Sequence, residues 1–148
     1  MDIYFFFTLL AVAFSGASMG SFLLVTLLYN ILLKAPDNLI DSFAIYRRLY
    51  RLNSVLCLLG GICAALVKNQ TAAFLLVIIT VSYVFNHSHI LNAMLKTCNL
   101  QYQVVNKQAY RSLSSVQNLL HLCQFGGAAY AIYLLAIDWP PTFQQGFN

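Results

Sequence analysis

The sequence predicts an all-α integral membrane protein, a four-helix up-down bundle forming one transmembrane domain over residues 1–148. Three observations predict it. The chain is 60% hydrophobic and 8% charged, whereas soluble domains carry about 25% charged residues. Its apolar stretches are long enough to cross a bilayer, which takes about 20 residues. Seven of its eight basic residues fall in alternate breaks between those stretches, the bias expected of cytoplasmic connections.

The first segment, residues 3–33, has no charged side chain. Its start at Met1-Asp2 is acidic and its apolar run is long, so it reads as a retained span, since a signal peptide has a basic start and a short apolar core. Gly16-Ala-Ser-Met-Gly20 is a small-xxx-small pattern that would let a neighbouring helix approach closely. Glycine is also common in such helices, and both readings stand. Pro36 and its neighbours predict a turn over 34–38.

The second segment is expected over 42–67, with Asp41 or Ser42 as its cap. Tyr46, Arg47, Arg48, Tyr50 and Arg51 give its first turns the basic and aromatic character of a membrane interface. Lys68 to Thr71 predicts a turn. Asn69-Gln-Thr71 matches a glycosylation acceptor, but a tight turn against the bilayer is a poor site, so the match is read as chance.

The third segment, 72–97, becomes polar without becoming acidic towards its end. Ser82, Asn86, His89, Asn92 and Lys96 recur at steps of four, three, three and four, one stripe on a helix. The fourth, 111–137, begins polar (Ser114, Ser115, Gln117, Asn118, His121, Gln124) and ends small and apolar through Gly126-Gly-Ala-Ala129. Trp139 then marks interface depth.

Lys34, Arg47, Arg48 and Arg51 flank one break, and Lys96, Lys107 and Arg111 flank another; Lys68 alone lies on the opposite side. Regions 34–51 and 96–111 are therefore expected to be cytoplasmic and both termini non-cytoplasmic, in a membrane such as the bacterial inner membrane.

Topology converts spacing into depth. Arg51, His89 and His121 each lie seventeen residues from the opposite break, roughly 25 Å along a helix. Ionisable residues within a span are costly and mark functional sites by default. The candidate site is thus an inward-opening pocket of His89, His121 and Arg51, with Asn86, Asn92 and Asn118 around it. The competing reading makes these residues interhelical glue, with Arg51 snorkelling to headgroups. His87 lies about 200° from His89 around the helix and cannot share its site.

Two histidines at one depth would suit haem b, with His89 and His121 as axial ligands and Arg51 on a propionate. The same residues would suit a quinone or copper. Every Asp lies at a segment end and there is no Glu, which argues against carboxylate proton relays, carboxylate-metal hydrolysis and a Ser-His-Asp set. Cys57, Cys63, Cys98 and Cys123 include no Cys-x-x-Cys pair and read as buried thiols. No basic run suits nucleic acid.

Arg47-Arg48-Leu49-Tyr50 opening the second helix and Tyr110-Arg111-Ser112-Leu113 opening the fourth resemble the HemJ-type protoporphyrinogen oxidases. The resemblance implies a small membrane bundle of about four helices associated with haem. That family has a His near the start of its first helix and Asn-Glu in its fourth. This chain has no His in the first segment and Ser114-Ser115 in the fourth, so no catalytic residue carries over. The layout is also similar to that of several four-helix membrane families of unknown function.

Two functions are expected from the sequence. One is a redox-ligand protein built on the pocket. The other is a non-catalytic accessory or assembly subunit of a larger, respiratory-type membrane complex. In either case the partners are the lipid bilayer and a complex or a second copy of the chain. No reaction is assigned.

Overall fold

The computed structural model describes residues 3–32, 39–98 and 104–137; within these, the side chains of residue 22 and of residues 25–32 and 39–42 are not described. The Pro36 turn and Trp139 lie outside the described residues; α2 already begins at Leu39, so the expected cap at Asp41 or Ser42 falls inside the helix. The helices are α1 (Ile3–Leu32), α2 (Leu39–Leu66), α3 (Gln70–Phe85), a π turn (Asn86–Ile90), α4 (Leu91–Lys96) and α5 (Lys107–Ile137). α3, the π turn and α4 form one continuous rod. Among the described residues, four helices are long and apolar enough to cross a membrane. Among the described residues, the only β pairing is an isolated bridge between Cys98 and Val104.

α1 and α3 each pack against both α2 and α5. The four rods therefore form a square, with α2 and α5 at opposite corners. Large apolar side chains such as Phe74, Val81, Leu119 and Leu122 point outwards, whereas Ala11, Ala64, Ala72, Ala128 and Ala131 are buried. This distribution suits a bilayer, where acyl chains are as apolar as leucine and helices associate through close packing and hydrogen bonds. Gly60 shows how close: a Cβ there would lie 3.3 Å from Ser15 Oγ and 3.5 Å from the Ala11 carbonyl. Gly16 and Gly20 have open space at the Cβ position, so the small-xxx-small pattern of α1 faces away from its own bundle.

The α2–α3 turn is set by hydrogen bonds. The Asn69 N–H reaches the Ala64 carbonyl and the Lys68 N–H the Ala65 carbonyl, a Schellman end to α2. It needs a left-handed residue, and Lys68 supplies it at φ 63°. Asn69 then caps α3, its Oδ1 accepting from Ala72 N at 2.9 Å while its Nδ2 donates to the Leu134 carbonyl of α5. Asn69 is thus a buried structural residue. Asn106 caps α5 in the same way, accepting from Ala109 N. These caps start α3 and α5 at Gln70 and Lys107, upstream of the expected 72 and 111.

The π turn alters the third rod. The Leu91 N–H donates to the Asn86 carbonyl, five residues back, so the turn holds about one residue more than an α-turn. Everything after it is rotated by about 100° relative to an unbroken α-helix. Burial records the shift: Ala72, Leu76, Ile79, Tyr83, Asn86 and Ile90 are buried at steps of three and four, and then Leu91 is buried immediately after Ile90.

Candidate functional site

The interior is polar through much of its length. Its centre is Tyr50, 1% exposed on α2. Its hydroxyl lies 2.8 Å from His121 Nε2 and accepts from Gln117 Nε2, both on α5. A hydroxyl that accepts from Gln117 still has its own hydrogen to donate; given to His121, it makes Nε2 the acceptor and leaves the neutral imidazole hydrogen on Nδ1. The Tyr50 ring also lies against Tyr46, Tyr83 and His121, with centroids 5.6–6.3 Å apart.

Other ties run around the square. Ser21 Oγ donates to Asn53 Oδ1 at 2.7 Å and Cys57 Sγ to Ser18 Oγ at 3.4 Å, joining α1 to α2. Gln124 Nε2 donates to Ser82 Oγ at 2.8 Å, joining α5 to α3. Gln117, His121, Gln124 and Ala128, at steps of four, three and four, form the inward stripe of α5. Four atoms in this interior have no hydrogen-bond partner among the described residues: Asn53 Nδ2, Gln124 Oε1, and both amide atoms of Asn86. Asn86 is wholly buried at the first position of the π turn.

The predicted site residues are divided by this arrangement. Asn86 and His121 face inwards. His89 is exposed and stacked on Phe85, with ring centroids 5.0 Å apart. Asn92 is exposed and accepts from Arg47 Nη2 at 3.5 Å. Asn118 is exposed on α5. Arg51 is exposed and donates through Nε to His87 Nε2 at 3.1 Å, so its partner is the histidine that helical geometry separates from His89. The stripe from Ser82 to Lys96 is broken because the π turn rotates its second half out of the bundle. His89, Asn92 and Lys96 line an open outer cleft of about 620 Å³ together with Ser88, Ile90 and Ala93.

A haem held between His89 and His121 does not fit these side chains. His121 Nε2 is engaged by Tyr50, and His89 faces out of the bundle. Among the described residues, no three His, Cys, Asp or Glu side chains gather as a metal site. The interior residues that spacing alone had not assigned to the site are Tyr50, Asn53, Gln117 and Gln124. The three-four rhythm of α5 around His121 carried the signal for the two glutamines; Tyr50, beside Arg51, had the look of an interfacial aromatic.

No protein-family model, curated protein or solved structure matches this chain.

Proposed function

We propose that this small integral membrane protein acts as a non-catalytic accessory or assembly subunit, with a polar interior that locks its helices together. The observation that supports this reading is the Tyr50–Gln117–His121 junction. The side chains best suited to chemistry are spent on one another, as interhelical glue is. Outward-facing Gly16 and Gly20 leave α1 able to receive another helix. The basic-rich connections orient the protein with both termini away from the cytoplasm. Purification from native membranes in mild detergent tests the reading. A stable larger assembly that loses this chain when Gly16 and Gly20 are both replaced by leucine is expected; a monodisperse, partner-free chain would count against it.

A second reading is a redox-ligand protein, in keeping with the resemblance to HemJ-type oxidases. It draws on Asn86, whose buried amide has both a donor and an acceptor to offer. A hydrogen-bonding ligand such as a quinone would suit that amide better than a bis-histidine haem would suit His89 and His121. Solvent extraction and oxidised and reduced absorption spectra of the purified protein decide it. Bound quinone or a Soret band that is lost in Asn86→Leu or His121→Ala would favour the second reading over the first.

A further inference from the structure

The two arginine contacts on the outer surface form a ladder. Arg47 and Arg51 are four residues apart on α2, so their side chains are neighbours on one face. Across the groove their partners are Asn92 and His87, five residues apart. Five residues on an α-helix would turn these partners about 140° away from each other. The π turn between them closes a five-residue repeat and brings both to face α2. The π turn thus aligns two rungs, Arg51–His87 and Arg47–Asn92.

Both partners are neutral acceptors. His87 receives the Arg51 hydrogen on Nε2, so that nitrogen carries no proton, and Asn92 offers its amide oxygen. Each rung uses one N–H of a five-donor fork, and its partner brings no negative charge. Both arginines are exposed at the end of the bundle that carries most of the basic residues. One turn towards the bundle centre, Val55 on α2 and Val84 on α3 are 53% and 52% exposed, an apolar lining for acyl chains beside the cationic rungs.

We propose that this ladder is a binding site for the phosphate of an anionic phospholipid. The headgroup lies across Arg47 and Arg51 and the acyl chains run past Val55 and Val84. Two bidentate-capable forks one turn apart suit phosphate oxygens, and basic grooves between spans bind anionic headgroups on this principle. The apolar lining favours a lipid over a free anion.

Native mass spectrometry of the full chain in mild detergent tests the site with dioleoylphosphatidylglycerol, dioleoylphosphatidylcholine and inorganic phosphate as probes. Phosphatidylglycerol should be retained in preference to phosphatidylcholine. Arg47→Gln and Arg51→Gln should each weaken retention about five-fold, while Arg48→Gln, which holds neither rung and is turned about 100° from Arg47 and about 60° from Arg51 round the helix, should weaken it less. Arg51→Lys keeps the charge and loses the Nε–H held by His87; an intermediate loss is expected, and this variant serves if Arg51→Gln does not fold. Equal retention of the two lipids, or an equal loss in Arg48→Gln, would overturn the proposal. So would millimolar inorganic phosphate competing the lipid off, which would assign the site to a free anion.

Discussion

The Tyr50 hydroxyl and His121 Nε2, 2.8 Å apart, join α2 to α5 across the diagonal of the bundle. The Gln117 bond to the same hydroxyl crosses the same diagonal, and the other interhelical side-chain hydrogen bonds described above join adjacent rods. Tyr50→Phe removes this bond and the one from Gln117 together, leaving two buried polar groups without their partner. A loss of about 1–3 kcal/mol is expected. A double-mutant cycle with His121→Leu isolates the pair, for which about 0.6–1.7 kcal/mol is the range met inside bilayers. Unfolding in detergent micelles followed by circular dichroism supplies the numbers, and a coupling near zero would remove the bond from the account of stability.

The same junction predicts a tautomer. Nitrogen-15 spectra of the histidine-labelled protein should show His121 protonated on Nδ1, with Nε2 a hydrogen-bond acceptor. In Tyr50→Phe the Nε2 resonance should shift; an unchanged spectrum would mean that the hydroxyl hydrogen points elsewhere.

Lys68 occupies the left-handed end of α2 at φ 63°, a conformation that a β-carbon disfavours by about 1–2 kcal/mol. Lys68→Gly should therefore raise stability by about 1 kcal/mol, the part left after glycine's greater unfolded-state freedom is counted. Lys68→Val should lower it. Thermal midpoints of the two variants should lie on opposite sides of the parent.

Gly60 and Gly16 give opposite expectations for one substitution. Leucine at Gly60 meets Ser15 and the Ala11 carbonyl and should cost about 1–3 kcal/mol by overpacking. Leucine at Gly16 or Gly20 meets open space and should change the isolated protein by less than about 0.5 kcal/mol. Equal effects at the inward and outward glycines would refute the packing described.

Deleting Ser88 should turn the π turn into an ordinary α-turn and rotate α4 by about 100°. Buried Met94 reports it. A cysteine at position 94 should resist a water-soluble maleimide in the full-length chain and react in the deletion variant. Protection in both would show that α4 keeps its face without the extra residue.

Much of the architecture was legible in the residues. Four apolar runs and their polar breaks marked four rods, and the basic residues marked one end of the bundle. Asn69 and Asn106 lie in polar connections whose residue types suit a turn as well as a cap, so the sequence places the starts of α3 and α5 later than the structure does. The site was legible only in part. A periodicity of 3.6 holds only while each turn closes at four residues; Leu91 bonding to Asn86 breaks it, and no residue type announces that bond in advance. His89 and Asn92 therefore exchanged an inward position for an outward one. Tyr50 was hidden for another reason. Aromatic residues beside arginines belong equally to an interface and to a core, and only the angle between adjacent positions, Arg51 outwards and Tyr50 inwards, separates the two.

The diagonal tie has a consequence for biosynthesis. Tyr50 is made before α5, the rod that carries its partners Gln117 and His121. Until α5 is inserted, Tyr50 and Ser82 sit in the membrane without the partners they have in the finished fold. A nascent chain of three rods is therefore an incompletely bonded intermediate, open to membrane chaperones and proteases, and the arrival of the fourth rod completes the bundle.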